Sequence, residues 1–319
     1  MNKNPLVSVV VLTYNTGQTI IHTLNSIYNQ TYKNIELIIS DDASADNTIE
    51  IIQEWLKGKD DRFVNCQFLQ SKRNVGTCKN INKGINIAHG EWIKTIGDDI
   101  LVDIAIDKYV DYVMSHKDCK MCVSRMELVG VGDIPEEIMS KYRQQWDYFF
   151  YKASECLEKQ QSWINKELVF TGPTYFFSRE LYNEVGGFDE SYILLEERPF
   201  CKKVLYSGYR IHTIDEVLVK YQVNMNSVCH KRGKYDLPNR QLVLDDANMN
   251  LNDLIPEMMK RGDYLYAIDR LLYHKGMLIR IYFNNNIISL LLAKLLYLFS
   301  PYRYLRQLYR LFGYEERFY

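Results

Sequence analysis

The chain has 319 residues, 39 lysines and arginines against 40 aspartates and glutamates, and a hydrophobic content of 47%. This length accommodates roughly two domains, and the composition excludes disordered and collagen-like classes. A net charge of -1 argues against nucleic-acid binding through overall basicity, and 25 tyrosines hint at polar grooves able to stack on a ligand.

The opening MNKNPLVSVVVLTYN has a short apolar run and no cleavage site, so no signal peptide is expected. No run reaches the roughly 18 apolar residues of a membrane span; the longest, Ile287 to Phe299, contains Lys294. A cytoplasmic location is expected. The seven cysteines are scattered, unlike a disulfide framework. Cys119 and Cys122 form a lone CxxC without a second ligand pair, so buried thiols in a reducing compartment are expected rather than zinc or redox chemistry.

In chain order, the β-branched run Val7 to Leu12 predicts a strand buried on both faces. A helix follows from about Gln18 to Asn29, with Ile20, Ile21, Leu24 and Ile27 on one face. Ile35 to Ser40 predicts a second strand and Phe63 to Leu69 a third, with a helix between them that Asp46 caps and that runs through Leu56. Thr77 to Ala88 predicts a helix, and Glu91 to Ile96 a fourth strand. This alternation is the signature of an open α/β sheet, in which ligands bind beyond the carboxyl ends of the strands. Polar residues fall at three such ends: Thr13-Tyr14-Asn15, Asp41-Asp42 and Asp98-Asp99. No GxGxxG follows the first strand, which disfavours a dinucleotide-binding oxidoreductase.

Beyond Val102 the alternation loosens. The pattern predicts a helix over Ile104 to Ser115, a strand over Lys120 to Ser124, and helix with loop over Glu136 to Lys166. A strand over Thr174 to Phe177 follows, then a short helix capped by Ser178 and ending at Gly186-Gly187. A helix over Glu196 to Ser207 and a pair of short strands over Tyr209 to Tyr221 come next. After about Asn224 the chain reads as all-helical, near 236–260, 263–283, 287–299 and 301–312.

The strings VSVVVLTYN, IELIISDDASADNT and NVG…NKGINIAHGEWIKTIGDD, followed by GGFDE and LLEERPF, resemble the catalytic domain of family 2 glycosyltransferases of the bacterial surface-polysaccharide type. The resemblance covers roughly residues 5–225. It implies a GT-A fold, a Rossmann-like mixed sheet flanked by helices. Its nucleotide-sugar half would be 1–100 and its acceptor half 101–225; the helical pattern beyond it makes 226–319 a separate C-terminal helical region.

A sugar nucleotide offers a flat base, a ribose diol and a diphosphate. Asp42 can accept from a uracil imide or ribose hydroxyl, Thr13, Tyr14 and Asn15 can frame the base, and the resemblance gives these positions to the nucleotide. Asp41 is expected to serve its turn. Two adjacent carboxylates are costly without a compensating cation, and Mn²⁺ or Mg²⁺ favours carboxylate, phosphate and water oxygens. The resemblance assigns Asp99 to that metal and Asp98 to the metal or the ribose; a solvated turn is the plainer alternative.

Inverting transfer needs a carboxylate to take the acceptor's proton. In Leu195-Glu196-Glu197-Arg198-Pro199-Phe200, Glu197 stands where the family places an Asp, with Glu196 a second candidate. An acid-rich helix start would look the same, and its amides are expected to hold Glu197 ionised. Two departures stand out. Ile81 replaces an Arg common before Asn82, leaving Lys79 or Lys83 as candidates for the diphosphate. Asn224 replaces a His, with His230 six residues on, so a carboxyl-side metal ligand is open.

The expected activity is an inverting, metal-dependent transfer from a UDP-sugar to a saccharide acceptor. That acceptor is read as a lipid-linked saccharide at the inner face of the cytoplasmic membrane, or else as a protein or soluble acceptor. A catalytically silent nucleotide-sugar-binding or scaffold protein is the alternative from another class. Residues 287–319 combine apolar and aromatic side chains with five basic against two acidic residues. That composition suits an anionic membrane surface or packing on protein, including a second copy in a homodimer.

Overall fold

The computed structural model describes residues 4–130, 135–153, 156–166, 171–223 and 233–305. They form two compact units, one of residues 1–161 and 168–224, the other of 162–167 and 225–319.

In the first unit, strands β1 (Val7–Thr13), β2 (Ile35–Asp41), β3 (Asn65–Gln70) and β4 (Trp92–Ile96) alternate with helices α1 (Ile20–Tyr28), α2 (Thr48–Leu56) and α3 (Thr77–Asn86). The chain continues through β5 (Ile100–Leu101), α4 (Ala105–Ser115), β6 (Met121–Gly130), α5 (Glu136–Ala153), α6 (Leu157–Lys166), β7 (Tyr175–Ser178), α7 (Arg179–Glu184), α8 (Glu197–Tyr206) and β8 (His212–Val223). The eight strands make one sheet in the order β3-β2-β1-β4-β7-β6-β8-β5. The first four are mutually parallel, so the carboxyl ends of β2, β1 and β4 lie side by side. β7 then joins β4 antiparallel.

β1 and β2 have almost no exposed residue, as their unbroken β-branched runs require of strands covered on both faces. Val7, Val9 and Val11 pack with Ile20, Leu24 and Ile27 of α1, Ile52 and Trp55 of α2 and Tyr109 of α4. α3 lies so close on the opposite face that a Cβ on Gly84 would come within 2.6 Å of Val10.

Several elements differ from expectation: β5 has no counterpart in the expected series, and β6 runs on to Gly130 rather than ending at Ser124. Residues 212–223 form a single strand rather than a pair; Asp215, Glu216 and Val217 are exposed in mid-strand, where the register with β6 shifts on the partner side around Arg125. A bulge of this kind interrupts the alternation from which strands are read. α2 begins at Thr48 with Asn47 in the capping position, although Asp46 still accepts the Thr48 N–H at 3.0 Å. Cys119 and Cys122 are buried. Cys229, Asn224 and His230 lie outside the described residues.

The second unit is helical: α9 (Arg240–Met249), a π turn (Asn250–Leu254), α10 (Ile255–Lys260), α11 (Tyr264–Tyr282) and α12 (Ile287–Tyr297). Asn286 caps α12, its side chain accepting from Ser289 N at 2.9 Å. α11 and α12 approach closely, with a Cβ on Gly276 meeting Ala293 at 3.4 Å. Helix continues over 301–305, and the rest of the expected last helix lies outside the described residues.

Candidate active site

The site forms where β2, β1 and β4 end. Thr13 is buried, its hydroxyl 2.5 Å from that of Thr16, and its carbonyl accepts from Asp42 N at 2.9 Å. Tyr14 is 45% exposed. Asn15 takes a left-handed turn at φ 53°, which Asn tolerates better than most residues. Its side chain accepts from Ala45 N at 2.8 Å, and its own N–H donates to Ser44 at 2.9 Å.

The adjacent carboxylates divide. Asp41 accepts from the amide and hydroxyl of Ser44 at 3.0 and 2.5 Å, a turn role. Asp42 accepts from Val75 N at 2.8 Å and Gly76 N at 2.9 Å. Both Asp42 oxygens thus pin the loop before α3, a use that sequence could not reveal because the donors are backbone amides. Of the two candidate lysines, Lys79 is exposed. Lys83 lies within reach of the charges of Asp42 and Asp41 and donates to Ser71 at 2.9 Å. Asn82 ties α3 to the GGFDE segment, donating to Phe188 O at 2.8 Å and Glu190 at 3.0 Å and accepting from Phe188 N at 3.0 Å.

Asp99 is buried. Its carboxylate accepts from Gln222 N at 2.8 Å, and the Gln222 side chain donates to Asp98 O. Gln222 at the end of β8 therefore clamps the acid pair; its part is played through an amide and a strand pairing, which left no signal in the sequence. Burial and then the Asp98 charge push Asp99 well above the usual carboxylate range, against the pull of the Gln222 N–H and Lys94. Burial also raises Asp98, partly offset by a hydrogen bond from Thr19.

Glu197 opens α8 and Glu196 precedes it. Glu197 Oε1 accepts from Gly172 N at 2.5 Å. Burial, then the Glu196 charge, raise Glu197; the Gly172 amide opposes this, and the Asp99 charge adds to it. The expectation that helix amides hold Glu197 firmly ionised is thus corrected: desolvation and two acidic neighbours outweigh the donor it has. The charge of Asp99, after β4, thus reaches Glu197 at the start of α8.

Among the described residues no three His, Cys, Asp or Glu side chains gather as a metal cluster. The Asp98–Asp99 pair still fits a hard divalent cation, because such ions keep one or two protein carboxylates and take their other oxygens from phosphate and water. A cation there would compensate the like charge of the pair, of which Asp99 is buried.

A family model, glycosyl transferase family 2, matches residues 8–186. The chain belongs to this family. An uncharacterised glycosyltransferase of Methanocaldococcus jannaschii is 27% identical over 226 residues, 69% of this chain and 71% of that one. The Escherichia coli enzyme WfaP, named a UDP-Glc:α-D-GlcNAc-diphosphoundecaprenol β-1,3-glucosyltransferase, is 36% identical over 113 residues, 35% of this chain and 43% of its own. Among solved structures, Staphylococcus aureus TarS 1-349 in complex with UDP-GlcNAc superposes with a TM-score of 0.57 at 16% identity, over 86% of this chain and 83% of that one. The mannosyltransferase PcManGT of Pyrobaculum calidifontis, in complex with GDP-Man and Mn²⁺, gives 0.57 at 17% over 94% and 82%. The fold is GT-A, and the protein is a glycosyltransferase.

Proposed function

We propose that this family 2 glycosyltransferase is inverting and divalent-cation-dependent, and that it moves a sugar from a UDP-sugar to a saccharide acceptor in bacterial surface-polysaccharide synthesis. The observation that carries the reading is a pair of carboxyl groups, Asp99 after β4 and Glu197 at the α8 start, each accepting from a backbone amide, with the Asp99 charge acting on Glu197.

Glu197 takes the proton of the acceptor hydroxyl as that oxygen bonds to the anomeric carbon. The bond from carbon to the diphosphate oxygen breaks on the opposite face, and its electron pair leaves with the diphosphate. A raised pKa brings this base closer to working pH, where a general base is most effective. Mn²⁺ or Mg²⁺ held by Asp99 and Asp98 would offset the charge of the departing diphosphate. Thr13, Tyr14 and Asn15 frame the base, and Asp42 reaches it through the lone pairs its loop leaves unused. Lys83, rather than the exposed Lys79, is suited to the phosphates.

The donor assignment draws on the UDP-GlcNAc complex of TarS and the UDP-Glc named for WfaP. The diphosphoundecaprenol in the WfaP name supports a lipid-linked acceptor here. The apolar side of α12, exposed at Ile287, Ile288, Leu291, Leu292 and Leu295, is read as the contact with the inner face of the cytoplasmic membrane. No described helix is long and apolar enough to cross a membrane.

The test is Glu197→Gln, assayed for transfer from a UDP-sugar panel in Mn²⁺ with UDP binding measured in parallel. Transfer should fall by roughly 10²–10⁴ with binding intact, and Glu196→Gln should be milder. A fully active Glu197→Gln enzyme would place the base elsewhere.

A further inference from the structure

Within the catalytic unit, Trp92, Lys94 and Ile96 point to the same face of β4. Trp92 and Ile96 join the apolar core there, and Lys94 between them has no exposed surface. An ammonium taken fully out of water carries a desolvation penalty, which a third apolar side chain would avoid. The reason for a lysine lies in what its three N–H bonds hold.

Lys94 Nζ donates to the carbonyls of Pro173, Tyr175 (3.1 Å) and its own neighbour Thr95 (3.1 Å). Tyr109 of α4, also fully buried, has its hydroxyl 3.1 Å from the carbonyl between the first two, Thr174 O, and 2.7 Å from the Ser124 hydroxyl, which shares its proton. Two side chains from beneath the sheet edge therefore fix three successive carbonyls. A tight turn leads back from them, with Thr174 N donating to Thr171 O at 2.9 Å. Inside that turn the Gly172 N–H points at Glu197 Oε1, 2.5 Å away. The fit has little slack, since a Cβ on Gly172 would lie 3.2 Å from the same oxygen. A shift of the three carbonyls moves the one backbone donor that orients the carboxylate.

We propose that Lys94 is a positioning residue for the transfer step, acting with Tyr109 through the Gly172 turn to hold the Glu197 carboxylate in line with the acceptor hydroxyl. The inference rests on Glu197 being the base.

A double-mutant cycle on the full chain tests it, using whichever of UDP-GlcNAc and UDP-Glc the wild type turns over in Mn²⁺. Lys94→Met should lower kcat by roughly 10- to 100-fold, with donor KM and Mn²⁺-dependent UDP binding within about twofold. In the Glu197→Gln background the same change should cost less than about threefold, because groups that act as a unit are not additive. Equal losses in both backgrounds overturn the inference. So does a loss carried by weaker UDP binding, which would mean that Lys94 acts through Asp99. Near wild-type transfer by Glu197→Gln alone would instead remove the base assignment, and this inference with it. Should Lys94→Met fail to fold, Tyr109→Phe decides. It deletes the bonds to Thr174 O and Ser124 Oγ and should lower kcat by about 3- to 10-fold in the wild type and not in Glu197→Gln; an unchanged kcat counts against the relay.

Discussion

The two units of the chain place polar and apolar groups differently. The catalytic unit hides its apolar side chains on both faces of a sheet and gathers Asp98, Asp99, Glu196 and Glu197 at one edge, where Asp98 raises Asp99 and Glu196 and Asp99 raise Glu197. The helical unit differs at its surface. It buries polar groups, with His274 3.7 Å from Asp246 and 2.9 Å from Arg270, and Asp269 bonded to Ser300, while α12 turns Ile288, Leu291, Leu292 and Leu295 to the outside. A unit that gathers acidic side chains at a sheet edge is suited to receive opposite charge. A unit that leaves leucines uncovered is built to be covered.

The sharpest break in that comparison comes from Asp99→Asn. The amide keeps the acceptor for Gln222 N and removes one of two buried like charges. Turnover should fall by about 10³ or more, because compensating the leaving group is worth several kcal/mol. The melting temperature should stay level or rise, as like-charge burial is relieved. A large drop in melting temperature would show that the acid pair supports the fold, and the contrast with the rest of the sheet would fail. Near wild-type turnover, or full activity in a chelator, would defeat the metal assignment.

Glu36 on β2 sharpens the same contrast from inside the catalytic unit, because it is a buried carboxylate that is fully served. Burial would raise it, but hydrogen bonds from His89 N, Ser8, the His89 ring and Asn65 outweigh that and hold it at about 2. Four donors surround Glu36, whereas Asp99 accepts from one backbone amide. A carboxylate depressed in the folded state stabilises it above its unfolded pKa, and that contribution is lost as pH falls through the folded value. Glu36→Gln should therefore lower stability at pH 7 by about 1–3 kcal/mol. The gap from wild type should close as pH falls from 4.5 toward about 2. Urea unfolding at pH 7 and pH 3 measures both points, and a gap that stays constant would mean that the carboxylate's charge is irrelevant.

How much of this was legible in the sequence follows the same division. Val7–Thr13 and Ile35–Asp41 were plain because a strand covered on both faces needs an unbroken apolar run, and the polar residues that end such runs had to lie at one sheet edge. β8 was split because Asp215-Glu216-Val217 face outward where the register slips. The two-residue β5 offers no periodicity at all. Asp98, Asp99 and Glu197 could be named from position. Gln222, Gly172 and Lys94 could not, since they act through backbone groups and through contacts between segments far apart in the chain. The loop-pinning use of Asp42 was hidden for the same reason.

The smallest effect on turnover belongs to the helical unit, and it tests the other side of the comparison. Leu291 and Leu295 are 57% and 54% exposed on one stripe of α12. Replacing both by Glu removes little packing, so stability should change by no more than about 0.5 kcal/mol per site, and transfer to a short soluble acceptor should stay within about twofold of wild type. If α12 lies on a membrane, each leucine contributes roughly 1.5–3 kcal/mol of burial there. The pair of changes should then weaken binding to phosphatidylglycerol vesicles at least about a hundredfold, with added repulsion from the anionic surface. Wild-type binding should also fall with salt, through Lys294 and the arginines that follow it. Sedimentation of the same two proteins separates the competing occupant. A wild-type dimer that the double variant splits, with vesicle binding absent in both, would mean that the uncovered leucines meet a second copy of the chain and not a lipid surface.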